Sequence, residues 1–175
     1  MNPSKLHFWS YHFDFFAFPV MISATIAVII TKDVSPLYLV WFTLGLIFWS
    51  AFEYLFHRWG FHRFICARAH RLHHIDPSGY IGVSSLITST TYVFGIFLSL
   101  FFKLPVIAIL QVGLSIGYLI YITVHHQIHH GRFSGRYMNS MRRRHNRHHY
   151  CARYDFGVTM SFWDAIFGTR STNRG

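Results

Sequence analysis

The chain has 175 residues, of which 52% are hydrophobic, 19% aromatic and only 13% charged, about half the roughly 25% charged content of soluble domains; a water-soluble globule of this composition would leave large apolar patches in solvent. The same apolar content excludes a disordered chain, and two cysteines, Cys66 and Cys151, exclude a disulfide framework. What remains is a small all-α integral membrane protein, a single domain over residues 1–175, whose net charge of +10 and 14 histidines need their own explanation.

Four apolar stretches follow one another: residues 15–31, 36–56, 81–102 and 105–126. A helix of about 20 residues crosses a hydrocarbon core of about 30 Å, so the last three are long enough and the first is marginal. Pro19 falls near the start of the first stretch, where a missing amide is tolerated. No small-residue cleavage site follows, so the segment reads as a retained span and not as a signal peptide. Ser35-Pro36 supplies an N-cap and a first-turn proline for the second helix, and Pro105 opens the fourth in the same way. The linkers 31–35 and 103–104 force the four transmembrane helices into two tight hairpins. Gly113 and Gly117 form a GxxxG in the fourth span, the pattern of close helix packing.

Lysine and arginine give the orientation. Lys5, Arg58, Arg63, Arg68, Arg71 and the nine arginines from Arg132 to Arg174 fall on one side, and only Lys32 and Lys103 on the other. This bias places both termini and the middle loop in the cytoplasm. The basic charge is then a topology signal with some attraction for anionic headgroups, and no nucleic acid is needed as a partner. Cys66 and Cys151 share the reducing side and are expected as free thiols.

Twelve of the 14 histidines fall into four groups at the cytoplasmic ends of the second and fourth spans. The groups are HRWGFH from His57 to His62, HRLHH from His70 to His74, HHQIHH from His125 to His130, and HNRHH from His145 to His149. Residues at i, i+3 and i+4 share one helix face. His70, His73 and His74 can therefore present three imidazoles together, and so can His145, His148 and His149. His125 and His129 lie one turn apart, and His57 and His62 straddle the point where the second helix leaves the membrane. Ten convergent imidazoles exceed one ion's coordination number and suit two metal ions in a cytoplasmic helical cap, with zinc, copper, iron and nickel all acceptable to imidazole. His7 and His12 stand outside any spaced group and read as ordinary packing or surface residues.

Four carboxylates lie near the groups: Glu53, Asp76, Asp155 and Asp164. Glu53, one turn before His57, can accept from that ring, and Asp155 and Asp164 can do likewise for the last group. The alternatives are a helix cap or an ion pair with a nearby arginine. Arg142–Arg144 read either as a docking surface for an acidic electron donor or lipid headgroups, or as plain topology charge. A histidine-rich metal transporter is the rival of a different class, but transporters place their ligands near the bilayer midplane, and here the span interiors hold no histidine. A bis-histidine haem protein would leave most of the ten rings without a role.

The four histidine motifs, in this order after paired spans, resemble the histidine boxes of the fatty acid hydroxylase/sterol desaturase superfamily. The flanks EYLFHR at Glu53–Arg58, DFGVT from Asp155 and FWDAIFGT from Phe162 resemble the same family, so that the likeness runs from about Pro36 to Thr169. It implies a membrane oxygenase with a histidine-bound dimetal centre, functionally di-iron although zinc can occupy an isolated sample. Such an enzyme uses O2 and two electrons to hydroxylate or desaturate a C–H bond of a fatty acyl or related lipid. Carried over residue by residue, the implied ligands are His57, His62, His70, His73, His74, His125, His129, His145, His148 and His149. His126 and His130 have the spacing of His125 and His129; the latter pair is preferred because Tyr121 stands four residues before His125, as a tyrosine does in fatty acid 2-hydroxylase-like members. Those members often have Asp after that Tyr, where this chain has Ile122. With no cytochrome b5 domain in the sequence, the implied donor is a separate reductase, ferredoxin or cytochrome b5-type protein. Sterol and carotenoid substrates are the alternatives of the same chemistry.

The lysine and arginine bias makes the topology testable. Reporter fusions at Gly175 and within residues 31–35 are expected to give opposite signals. The same signal from both would contradict the four-span arrangement.

Overall fold

A computed structural model of the chain describes residues 6–31, 34–80 and 82–171. Among these residues there are helices and no strands: α1 (Phe8–Ile30), α2 (Leu37–Leu55) continued by a π-helical turn (Phe56–Phe61), α3 (Ala67–Ile75), α4 (Ser85–Phe101), α5 (Pro105–His129), α6 (Arg136–Tyr150) and a short α7 (Phe162–Ile166). Two compact units divide the chain: Met1–Trp49 with Gly82–Leu119, and Ser50–Ile81 with Ile120–Gly175. Lys5, Lys32, Arg174 and Gly175, used above for orientation, lie outside the described residues.

Three helices are long and apolar enough to cross a membrane: Phe8–Ile30, Leu37–Phe61 and Pro105–His129. The first and third apolar stretches differ most in length from the helices they form. The first helix is 23 residues and begins seven residues before its apolar stretch. Hydropathy stops at Asp14, whereas the helix runs through it because its polar residues find partners. The buried Asp14 carboxylate accepts from the hydroxyls of Thr88 at 2.6 Å, Tyr118 at 2.5 Å and Ser89 at 3.3 Å. His12 Nδ1 bonds the Phe8 carbonyl at 2.9 Å. Pro19 is consequently deep inside α1 and not near its start, a placement that membrane helices tolerate. Conversely, the stretch 81–102 yields an α4 of only 17 residues, because the Ser84 hydroxyl caps the helix by accepting from Leu86 N–H.

The start of α2 is as the sequence predicts, with Leu37 N–H donating to Ser35 Oγ, and α5 begins at Pro105. The turn between α4 and α5 closes through Lys103, held at φ 56°, with Leu104 N–H bonded to the Ser99 carbonyl at 2.8 Å.

Within the first unit the core joins Phe18, Ile22 and Ile29 of α1 with Tyr92 and Ile96 of α4 and Ala108 and Val112 of α5. Asp14, Thr25, Ser85, Ser99 and Ser115 are buried in the same unit, while Phe16, Val20, Leu39, Val40, Phe94 and Phe97 are exposed. Polar groups inside and large apolar ones outside is the arrangement lipid demands, since internal hydrogen bonds replace water that hydrocarbon cannot supply.

Glycines fix the approach of α2 and α5. A Cβ at Gly113 would strike the Phe42 carbonyl, one at Gly45 the Leu110 carbonyl, and one at Gly117 the Trp49 side chain. The GxxxG of α5 thus packs as its pattern predicts, and Gly45 is the partner that the sequence alone does not single out. Gly45→Leu is expected to destabilise the detergent-solubilised protein by about 1–3 kcal/mol, the usual penalty of overpacking, seen as a lower thermal unfolding midpoint. Gly82→Leu, at an open position, should leave the midpoint unchanged. Equal midpoints for both variants would contradict the close approach.

Candidate metal centre

Each histidine motif in the second unit arrives on its own piece of helix. The π-helical turn closes hydrogen bonds i→i+5, so His57 and His62, five residues apart, come round to one side with ring centroids 5.2 Å apart. That spacing in HRWGFH is the signal of the π turn, which the α-helical periodicities miss. α3 carries His70, His73 and His74; the end of α5 carries His125 and His129; α6 carries His145, His148 and His149.

The rings gather into two groups. His57, His62, His70, His74 and His148 form one, and His73, His125, His129 and His145 the other, each with its donor nitrogens all within 4.8 Å of one another. In the first, His70 Nε2 lies 3.1 Å from the Nε2 atoms of His57, His62 and His74, and His62 Nε2 lies 3.0 Å from that of His148. In the second, His125 Nε2 is 3.2 Å from His73 Nε2, and His145 Nε2 is 2.9 Å from His129 Nε2. His149 touches both groups: it stacks on His74 at 4.3 Å and brings Nε2 within 3.0 Å of His145 Nε2. All ten histidines expected at the site are therefore together. His126 and His130 belong to neither group; their rings face each other at 5.0 Å, with Tyr80 5.4 Å from His130.

Hydrogen bonding cannot account for this packing. A single proton on His70 Nε2 can be shared with one neighbour, not three. Metal-bound imidazole nitrogens sit about 2.0–2.1 Å from the ion, which puts adjacent donors about 3 Å apart. The spacing and the all-nitrogen donor set fit a transition metal in each group.

Electrostatics agree. Burial pushes the imidazoles of this unit down: His62 and His149 to about 4, His148 to about 3 and His73 to about 2, with neighbouring histidines adding to the effect. His70, His74 and His145 move in the same direction, again chiefly by burial. Rings so depressed are neutral at physiological pH, with a lone pair free to bind a cation.

The carboxylates do not touch the rings as the sequence suggested. Glu53 accepts at Oε1 from the backbone N–H groups of Val158 and Thr159, both at 2.9 Å, and at Oε2 from the Thr159 hydroxyl at 2.6 Å. His57 Nδ1 bonds instead to the Phe156 carbonyl at 2.6 Å, and His148 Nδ1 to the Tyr154 carbonyl at 2.7 Å. Asp164 accepts from Phe156 N–H, Gly157 N–H and the Thr169 hydroxyl. Asp155 pairs with Arg144 at 2.8 Å and Arg147 at 3.3 Å, and Arg144 also reaches Asp164 at 3.1 Å. Backbone carbonyls orient the rings, and the carboxylates hold the backbone. The reason lies in the loop: the four consecutive buried N–H groups of residues 156–159 need acceptors, and Asp164 and Glu53 supply them.

Two of the three arginines considered for docking are likewise taken. Arg144 is buried in its ion pairs, and Arg142 donates to the carbonyls of Gln127, Ile128 and Phe133. Arg143 alone of the three is both exposed and outside these bonds. Cys66 and Cys151 are free thiols.

The family model for fatty acid hydroxylase matches residues 42–169, a range that contains every one of these histidines. The chain belongs to the fatty acid hydroxylase family. Among its curated relatives, fatty acid 2-hydroxylase of Rattus norvegicus is 29% identical over 143 residues, covering 73% of this chain and 38% of the relative. Fatty acid 2-hydroxylase of Mus musculus is 27% identical over 146 residues with the same coverage. This fatty acid hydroxylase family member thus spans about two-fifths of the length of the curated relatives it matches. A solved structure of full-length Scs7p, in which only the hydroxylase domain is visible, superposes with a TM-score of 0.73 at 21% identity, over 98% of this chain and 69% of that one. The fold of the family member is therefore that of a hydroxylase domain.

Proposed function

We propose that this family member is a membrane-bound oxygenase that hydroxylates, or desaturates, a C–H bond of a fatty acyl or related lipid. The observation that carries the reading is the pair of imidazole groups at metal-donor spacing in a chain of the fatty acid hydroxylase family. The proposed ligands are His57, His62, His70, His74 and His148 for one ion, and His73, His125, His129 and His145 for the other, with His149 between them. Two bound iron ions would supply the redox chemistry that zinc, fixed in one oxidation state, cannot. The balance for hydroxylation is one lipid C–H, O2, two electrons and two protons giving C–OH and water. Electrons come from a separate donor of reductase, ferredoxin or cytochrome b5 type.

The chain's own contribution is to hold the rings neutral, aimed and desolvated. His57 and His148 are fixed through their Nδ1 atoms by the Phe156 and Tyr154 carbonyls, so their Nε2 atoms face inward. In the proposed topology α4 is the third of four spans and α5 the fourth, and both termini and the histidine groups lie on the cytoplasmic side, as a single hydroxylase-like domain over residues 1–175. A lipid then enters from the bilayer while the electron donor docks from water. A sterol or carotenoid fits the same chemistry. Metal transport is the weaker reading, since the histidines sit at helix ends and on α3 and α6, not along span interiors.

Lipid extracts from cells with and without the expressed protein, compared by mass spectrometry, test the reaction. A product heavier by one oxygen indicates hydroxylation, and one lighter by two hydrogens desaturation. His73→Ala and His148→Ala are expected to abolish the product while still inserting into membranes, because the apolar helices drive insertion. His7→Ala and His12→Ala should keep full activity. Full activity in His148→Ala would contradict the proposed centre.

A further inference from the structure

The two histidine groups are braced differently. An imidazole that binds a metal through Nε2 carries its proton on Nδ1, and an acceptor for that proton fixes the ring and raises its basicity. In the five-histidine group, His57 and His148 each have one, the carbonyls of Phe156 and Tyr154. In the four-histidine group, the Nδ1 atoms of His73 and His145 are buried with no hydrogen-bond partner, as is that of His149 beside them.

The acceptors of the first group are themselves immobilised. The consecutive backbone N–H groups of Phe156, Gly157, Val158 and Thr159 are all taken by two buried carboxylates, the first two by Asp164 and the last two by Glu53. Gly157 has no room for a side chain, since a Cβ would meet the Met160 carbonyl and the Asp164 carboxylate. Arg144 pins Asp164 to Asp155 from α6, and Tyr137 donates to the Thr159 carbonyl at 2.8 Å. The Phe156 ring packs against His57, His62 and His148, with centroids 5.9, 5.5 and 5.2 Å away.

We propose that Glu53 and Asp164 are positioning residues that, through the segment 154–159, make the five-histidine group the tight metal site and leave the four-histidine group as the weak, exchangeable one. The inference rests on the reading of both groups as metal sites. Loss of an outer acceptor typically costs 10–100-fold in metal affinity, so two absent acceptors separate the sites by at least about tenfold.

The test strips the full-length, metal-loaded protein in detergent with graded chelator and counts ions per chain by elemental analysis. Wild type is expected to lose its two ions in two steps, at chelator strengths at least about tenfold apart. His129→Ala should remove the weak step and keep the tight one. Glu53→Ala should move the tight step about 10–100-fold toward the weak one and leave the weak step in place. Glu53→Gln, which keeps an acceptor oxygen for Val158 and Thr159, should restore most of the difference. A general loss of stability would move both steps together, and that result overturns the positioning role. Release of both ions in a single step from wild type overturns the ordering of the sites. Should Glu53→Ala fail to insert, the wild-type steps and His129→Ala decide the ordering, and Glu53→Gln together with Asp164→Asn decides the positioning role. Wild type holding one ion or none would overturn the two-metal reading itself, an outcome distinct from two ions of equal affinity.

Discussion

Imidazole nitrogens about 3 Å apart, with several converging on the same neighbour, can coexist only while the rings stay unprotonated. Two imidazolium ions at that distance repel strongly, and burial withholds the water that would screen them. The second unit meets this constraint by burial, which keeps His62, His70, His73, His145, His148 and His149 far below the ordinary histidine range and lowers His74 in the same direction. What the arrangement lacks is positive charge at the point where the lone pairs meet, and a metal ion in each group would provide it. The helices, the loop 154–159 and the buried ion pairs serve to hold rings in a geometry that they would not adopt on their own.

Two kinds of brace do this. Some rings are fixed by helix register alone, as His70 and His74 are on α3 and His125 and His129 on α5. Others need a carbonyl from a distant stretch of chain, and that stretch needs acceptors for its own backbone. This is why acidic residues, scarce in a chain with only six of them, are spent on Glu53, Asp155 and Asp164. It is also why some of the basic charge is internal: Arg144 pairs with two buried carboxylates and Arg147 with one of them, so the net charge of +10 is not purely a matter of membrane orientation. An arginine in that position cannot also receive a partner protein.

Much of this was legible from spacing. The HxxHH motifs place their rings on one helix face, and α3 and α6 form where those motifs require. The serine-proline pair and the GxxxG also mean in the structure what they mean in sequence. Two of the failures share a physical origin, because they concern partners far apart in the chain. Asp14 reads as the end of hydrophobicity until Thr88, Ser89 and Tyr118 are brought to it. Glu53 reads as the partner of His57, one turn away, until residues 158 and 159 arrive to claim it. The π turn at Phe56–Phe61 lies hidden because α-helical periodicity does not anticipate a five-residue repeat. Local pattern reports which residues share a face; it does not report which distant backbone groups lack an acceptor.

The central claim is that the ten histidines form two metal sites in one chain. It is tested most directly by the metal content of purified, iron-loaded protein, counted for wild type, His148→Ala and His73→Ala. The account predicts two ions per chain in wild type and the loss of at least one in each variant. A folded, metal-replete wild-type chain holding a single ion, or none, would contradict it.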